Sequence, residues 1–260
     1  MNTTALITGA SSGIGKEMSK IHAERGGDLV IVARSREKLE SLKQEIESRH
    51  PVKVTVLVKD LSQEGAPQEI YDELKKANID IEYLVNNAGF GLLGKFHELD
   101  WTRQKMMIDL NMTSLTALSH LFLQDFVKRN SGRILNVSST ASFLPGPMQA
   151  VYYASKSYVQ FLSNALSEEL RDTNITVSNL MPGATETEFG AVSGMDKTPL
   201  FNKTASARQV AFDGYNGMLK GKLDVISGVT FMQKLMLKAV AFTPKRMLLK
   251  QVKQMQQIKK

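Results

Sequence analysis

Seven short apolar runs, separated by stretches of helical pattern, constrain this chain more than any other feature. They fall near residues 4–8, 28–33, 52–58, 82–86, 132–138 and 175–181, with a fainter seventh at 223–227. The stretches between them are long enough for crossover helices, which join strands in parallel, and a parallel sheet needs both of its faces covered. The expected fold is therefore α/β: a single-domain, doubly wound parallel sheet of about seven strands with helices on both faces. A length of 260 residues suits one such domain, and no repeat, low-complexity tract or proline-rich linker divides it.

The first run, Thr4-Ala5-Leu6-Ile7-Thr8, leads into Gly9-Ala10-Ser11-Ser12-Gly13-Ile14-Gly15 and then a helical pattern from Lys16 to Arg25. Strand, glycine turn and helix are the context of a Rossmann-like dinucleotide site. Gly9 permits the tight turn, Gly13 lets backbone approach a phosphate, and Gly15 lets helix and strand pack closely. Ser11, Ser12 and Ile14 complete a loop whose free N–H groups would face the pyrophosphate. The spacing is G-x-x-x-G-x-G rather than the commoner G-x-G-x-x-G, and a purely structural turn is the competing reading. The second run ends at Ala33, where an NAD-preferring site carries an acid, and Arg34-Ser35-Arg36 follows at once. A guanidinium grips a 2′-phosphate that a carboxylate would repel. The expected cofactor is NADP(H) in preference to NAD, with Arg34 and Ser35 as phosphate ligands. The competing reading has Arg34 and Arg36 facing solvent at a helix start.

Tyr152 and Lys156 stand four apart in Tyr152-Tyr153-Ala154-Ser155-Lys156, and Ser139 lies thirteen residues before Tyr152. Residues at i and i+4 share a helix face. A cation beside a phenol lowers a pKa that is ordinarily about 10 and makes a usable general acid/base. Ser139 adds a donor for an oxygen on which charge develops. The spacing alone is weak: Tyr71 and Lys75 repeat it in a charged surface-helix pattern, but Val58 stands where a serine would be needed. Beside a hydride carrier, the three residues point to carbonyl/alcohol redox chemistry. The spacing selects Ser139 over Ser138 and Tyr152 over Tyr153, leaving the rejected pair as structural or pocket residues.

Thr8 to Gly15, Asn86-Asn87-Ala88-Gly89, Asn111, Ser139, Tyr152-x-x-x-Lys156 and Pro182-Gly183 occur in one order. Together they resemble the short-chain dehydrogenase/reductase family in its compact single-domain form, from about Thr4 to Phe189 and more loosely to about Gly228. The resemblance implies a catalytic tetrad of Asn111, Ser139, Tyr152 and Lys156. In it, Tyr152 protonates the new alkoxide and Ser139 orients the carbonyl oxygen. Lys156 binds the nicotinamide ribose and depresses the pKa of Tyr152, while Asn111 holds a water in a proton relay. The resemblance also places Asp60 and Leu61 beside the adenine. Asn86, Asn87, Ala88 and Gly89 support the central sheet and the cofactor ribose, and Pro182, Gly183, Thr185 and Thr187 hold the nicotinamide end.

The segments expected to line a substrate pocket offer Phe90, Leu92, Leu93, Phe143, Leu144, Pro145, Pro147, Met148 and Phe189, with no convergent charge, and Phe90, Leu92, Phe143, Met148 and Phe189 are the expected substrate contacts. An apolar wall favours a hydrophobic carbonyl or alcohol over a charged metabolite. The expected function is an NADPH-dependent reductase transferring a hydride to a hydrophobic ketone or ketoacyl-type carbonyl. One alternative is an NAD-dependent alcohol or hydroxysteroid-type dehydrogenase working in the oxidative direction. Another is a non-catalytic dinucleotide-sensing protein, which fold alone permits but which has no need of a complete tetrad.

With no cysteine, neither disulfides nor thiolate metal sites are available, and His22, His50, His97 and His120 lack ligand-like spacing, so no metal is expected. The chain enters its first strand too early for a signal peptide, and no apolar stretch approaches the roughly 20 residues that span a bilayer. A cytoplasmic location is expected. Helical patterns near 102–129 and 149–172 carry wide apolar faces; the resemblance implies pairing in a homodimer or homotetramer, and packing on the sheet explains the faces equally.

The charge is uneven. After Asp224 there is no acid but eight basic residues, Lys234, Lys238, Lys245, Arg246, Lys250, Lys253, Lys259 and Lys260, against a whole-chain net of +7. The chain is accordingly divided into a Rossmann-type catalytic domain over 1–230 and a basic, partly amphipathic helical extension of it over 231–260. Leu248, Val252, Met255 and Ile258 recur there at helical spacing, and Phe231, Leu235, Met236 and Phe242 add apolar bulk. Such a segment covers its own subunit or a neighbour, docks on a partner, or makes peripheral contact with an anionic membrane. Nucleic acid is not expected, since no recognition motif or aromatic platform accompanies the charge.

Overall fold

All seven apolar runs become strands of one sheet in the computed structural model, which describes residues 3–257, the side chains of Lys238 and Ala241 excepted. The strands are β1 (Thr4–Thr8), β2 (Asp28–Ala33), β3 (Val54–Val58), β4 (Tyr83–Asn86), β5 (Gly132–Val137), β6 (Ile175–Pro182) and β7 (Asp224–Ser227). Their order is β3-β2-β1-β4-β5-β6-β7, and every pairing is parallel. Between and after them run α1 (Gly13–Glu24), α2 (Arg36–Glu47), α3 (Ala66–Lys76), α4 (Trp101–Ile108), α5 (Leu115–Arg129) and α6 (Ala150–Glu169). The remainder are α7 (Phe189–Ser193), α8 (Ala207–Leu219), α9 (Phe231–Ala239) and α10 (Lys245–Gln256).

Strand alternation divides the core into two layers. Ala5, Ile7, Leu29 and Ile31 face Met18 and Ile21 of α1, Leu39 and Leu42 of α2, and Val210 and Met218 of α8. The intervening Leu6, Val30 and Val32 point the other way, to Ile70 and Leu74 of α3 and Leu118, Phe122 and Phe126 of α5. Each fully buried aliphatic side chain contributes about 1.5–3 kcal/mol of transfer free energy. The chain leaves β1 towards β2 and later returns beside β1 as β4, so the strand order reverses there. In open parallel sheets a ligand crevice lies outside the carboxyl ends of the strands at this switch point.

The helical pattern over 102–129 is not one helix. It is interrupted by a π-type turn, Asp109–Ser114, between α4 and α5, and Asn111 is buried within it. Such single turns swing a side chain out of helical register. Tyr71 and Lys75 both reach Asp125 of α5, at 3.0 and 2.8 Å, and pin α3 to α5. His22 is also structural, with Nδ1 2.6 Å from the Tyr215 hydroxyl and Nε2 3.1 Å from Thr3 O.

The C-terminal helix α10 folds back over the catalytic end of the sheet. Leu248 and Val252 join Leu92, Met107, Tyr152 and Tyr153 in a third apolar cluster. The stripe expected from Leu248, Val252, Met255 and Ile258 is corrected here: the third buried position is Gln256, Met255 is exposed, and Ile258 lies outside the described residues. The reason is hydrogen bonding. Gln256 Nε2 donates to the Tyr153 hydroxyl at 2.6 Å, and Gln256 Oε1 accepts from Gln149 Nε2.

Candidate active site

The phosphate turn is built by close backbone approach. Gly9, at φ +65°, turns the chain out of β1 and donates to Val32 O at 2.8 Å. A Cβ on Gly15 would lie 2.5 Å from both Gly9 O and Asn87 Nδ2. Asn87 Nδ2 itself donates to Thr8 O at 2.9 Å, and Thr8 Oγ1 accepts from the Asn87 and Ala88 N–H groups at 3.0 Å each. Ser12 stands at the N-cap of α1 without bonding its side chain to the helix, which leaves first-turn N–H groups to an incoming anion. A Cβ on Gly13 would meet Thr187 Cγ2 at 2.8 Å, so this loop and the segment after β6 close on each other over bare backbone. A cradle that side chains would fill fits a dinucleotide pyrophosphate.

At the end of β2, Arg34, Ser35 and Lys38 share the wall of one cleft. Ser35 Oγ caps α2 by accepting from Lys38 N at 3.4 Å, and Lys38 Nζ pairs with Glu188 Oε1 at 2.6 Å. Lys38 escaped the sequence reading, although it lies one turn beyond Ser35 and so on its side of α2. Across the cleft, burial pushes the Asp60 carboxyl up. Bonds from the Ser62 N–H and O–H and the charge of Arg34 outweigh it and hold Asp60 below its ordinary range. Leu61 is buried beside it. At the sheet centre, Asn86 Nδ2 donates to Ser119 Oγ and Asn136 Oδ1, at 3.0 and 2.9 Å.

The cleft, of about 1150 Å³, runs from this rim past Gly9, Asn87 to Gly89, and Pro182 to Thr187, and reaches Ser139, Tyr152 and Lys156. Ser139 follows β5, accepts from Ala141 N at 3.1 Å, donates to Pro182 O at 3.4 Å, and stands near enough to the Tyr152 hydroxyl to act on its acidity. Tyr152 and Lys156 lie on one face of α6, with Lys156 Nζ 5.8 Å from the Tyr152 ring centroid. That nitrogen donates to Val137 O at 2.9 Å. Burial lowers the Lys156 pKa to about 8 and raises that of Tyr152 above its ordinary value; Ser139 opposes the rise without cancelling it. The expected depression of the phenol by Lys156 is thus absent in this state. The ammonium is turned to a carbonyl, and desolvation dominates both groups.

Asn111 sits behind the cleft wall. Its Nδ2 donates to Phe90 O and Ser155 Oγ, at 2.9 and 3.2 Å, and its Oδ1 accepts from Phe90 N at 3.1 Å. Both amide protons are committed to protein, so Asn111 clamps the Phe90 backbone against α6 and keeps one lone pair on Oδ1. Ser138, which the spacing had set aside, donates to Lys156 O at 2.7 Å and ties β5 to α6.

Of the expected pocket residues, Phe90, Leu144 and Phe189 line the cleft; Leu92, Leu93, Phe143, Pro145, Pro147 and Met148 do not. Leu92 turns into the cluster with Met107 and Tyr152. Phe143 ends a short 3-10 turn after which extended Leu144 takes the wall position. Met148, at φ +72°, spends its carbonyl on Gly94 N at 2.8 Å. The far wall comes instead from Val192, Phe201, Met236, Val240 and Met247, residues no motif singles out.

The family model for the short chain dehydrogenases matches residues 3–197. A very-long-chain 3-oxoacyl-CoA reductase from Anas platyrhynchos is 34% identical over 206 residues, which are 76% of this chain and 64% of that protein, so the chain spans less than two thirds of that relative. A short-chain dehydrogenase from Sphingobium yanoikuyae, solved in complex with NADPH, superposes with a TM-score of 0.83 at 31% identity, over 92% of this chain and 93% of that one. The bulky-bulky ketone specific alcohol dehydrogenase from Comamonas testosteroni gives a TM-score of 0.79 at 29% identity, over 92% of each chain. The phosphate turn, the serine–tyrosine–lysine cluster and the seven-stranded sheet thus come together in a chain that belongs to the short-chain dehydrogenase family.

Proposed function

We propose that the protein is an NADPH-dependent reductase of hydrophobic ketones or ketoacyl-type carbonyls. The observation that carries this reading is that Ser139, Tyr152 and Lys156 line one cleft whose other walls are Phe90, Leu144, Phe189, Val192 and Met236. The cofactor, when bound, would supply the hydride for the carbonyl carbon. Ser139 holds the carbonyl oxygen by a hydrogen bond, and Tyr152 gives that oxygen its proton. Lys156 holds positive charge beneath the phenol at neutral pH, and Asn111 fixes the Phe90 wall. Arg34, Ser35 and Lys38 offer a cationic, hydrogen-bonding seat for a 2′-phosphate where β2 ends without an acid.

The same reading includes self-association: Trp101, Tyr158 and Phe161 are exposed on α4 and α6, Phe161 at 70%, and a homodimer or homotetramer would cover them. NADPH oxidation across a panel of bulky ketones and acyl thioesters tests the activity. Tyr152→Phe is expected to lower turnover by roughly 10²-fold or more with NADPH binding retained. Substantial residual turnover, or equal affinity for NADH and NADPH, would overturn the mechanism or the cofactor assignment respectively.

A further inference from the structure

Half of the large apolar side chains that stand exposed in the described residues, eight of sixteen, fall between Phe231 and Met255. Phe231 is 83% exposed, Met236 62%, and Phe242, at the elbow between α9 and α10, 90%. Lys234, Lys245, Arg246, Lys250 and Lys253 stand exposed among them, and none makes an ion pair among the described residues. Concentrated apolar exposure of this kind marks an interaction surface, and this one is rimmed by charge of a single sign.

We propose that this face, formed by α9, the elbow at Phe242 and the outer side of α10, docks peripherally on an anionic lipid surface and opens the active-site cleft towards it. Charge selects the occupant. A second copy of the chain, docked symmetrically through the same patch, would set the basic cluster against itself with no acid after Asp224 to relieve it. Anionic headgroups complement the lysines and arginine, while Phe231 and Phe242 enter the acyl boundary. No helix among the described residues is long and apolar enough to cross a membrane.

Position supplies the second argument. Met236 and Met247 are exposed on this face and also line the cleft that holds Tyr152, so they form its rim. A folded protein seated here would cap the entrance, whereas a fluid lipid surface leaves it open and delivers an apolar substrate along it. The patch is fixed to the catalytic helix, because Gln256 of α10 bonds Tyr153 and Leu248 and Val252 pack beside Tyr152. The docking does not depend on the reductase reading; delivery of a lipid-dissolved ketone does.

The test is flotation of the full chain with phosphatidylcholine vesicles, with and without phosphatidylglycerol. Binding is expected only to the anionic vesicles and is expected to weaken with salt. Phe231→Ser with Phe242→Ser should abolish it, and Lys245→Gln with Arg246→Gln should weaken it by about fivefold per charge removed. Neither pair lines the cleft, so reduction of a water-soluble ketone should be unchanged in both variants. Absence of binding to anionic vesicles, binding that both variants retain, or a concentration-dependent dimer abolished by the same substitutions would overturn the proposal. Vesicle binding without NADPH oxidation would sink the reductase reading alone, and oxidation without vesicle binding would sink the docking surface alone.

Discussion

Replacing Lys156 with methionine separates what the lysine does for chemistry from what its burial does to the fold. The ammonium is enclosed and makes one hydrogen bond, to Val137 O. Burial lowers its pKa from 10.5 to about 8. At about 1.4 kcal/mol per pH unit, holding the charge inside costs the folded state about 3 kcal/mol at neutral pH. Below pH 8 the lysine is charged in both states and the whole cost is present. As pH rises from about 8 towards 10.5 only the unfolded chain keeps its proton, so the cost fades and stability increases. Methionine removes the cost and forfeits a hydrogen bond from a charged donor, worth about 2 kcal/mol. Lys156→Met should therefore be more stable than the parent by about 1 kcal/mol at neutral pH, or roughly 2 °C in Tm for a chain of this length. At about pH 9.5 the advantage should shrink to near zero. Thermal unfolding of both proteins at the two pH values measures this, and an NADPH oxidation assay should show turnover lost. A variant less stable than the parent at neutral pH, or a difference equal at both pH values, would refute the burial argument.

Two further outcomes follow from packing. Gly15→Ala puts a Cβ 2.5 Å from Gly9 O and Asn87 Nδ2, so it should cost about 1–3 kcal/mol of stability and weaken NADPH binding; unchanged melting and affinity would contradict the close approach. Gln256→Leu strands the Tyr153 hydroxyl and the Gln149 amide, costs about 1–3 kcal/mol, and should make α10 more sensitive to limited proteolysis, while an unchanged cleavage rate would show that its apolar contacts alone seat the helix.

Sequence alone determined whatever depends on neighbours along the chain. The apolar runs gave all seven strands, because burial on both faces of a parallel sheet leaves continuous aliphatic segments. The Gly9 to Gly15 turn was legible because its conformations depend on a missing Cβ. Tyr152 and Lys156 were paired correctly on one helix face by the 3.6-residue period. Tertiary structure decided the rest. Which pocket residues face the cleft depends on loop direction, so Leu144 faces it while Leu92, Phe143 and Met148 do not. The far wall at Met236, Val240 and Met247 lies more than eighty residues beyond Tyr152 and is brought there by the C-terminal helices, with α10 held by Gln256 and by Leu248 and Val252. The acidities of Tyr152 and Lys156 depend on exclusion of water, and no spacing reports that: a cation four residues away suggested a more acidic phenol, and burial in three dimensions makes it a weaker acid.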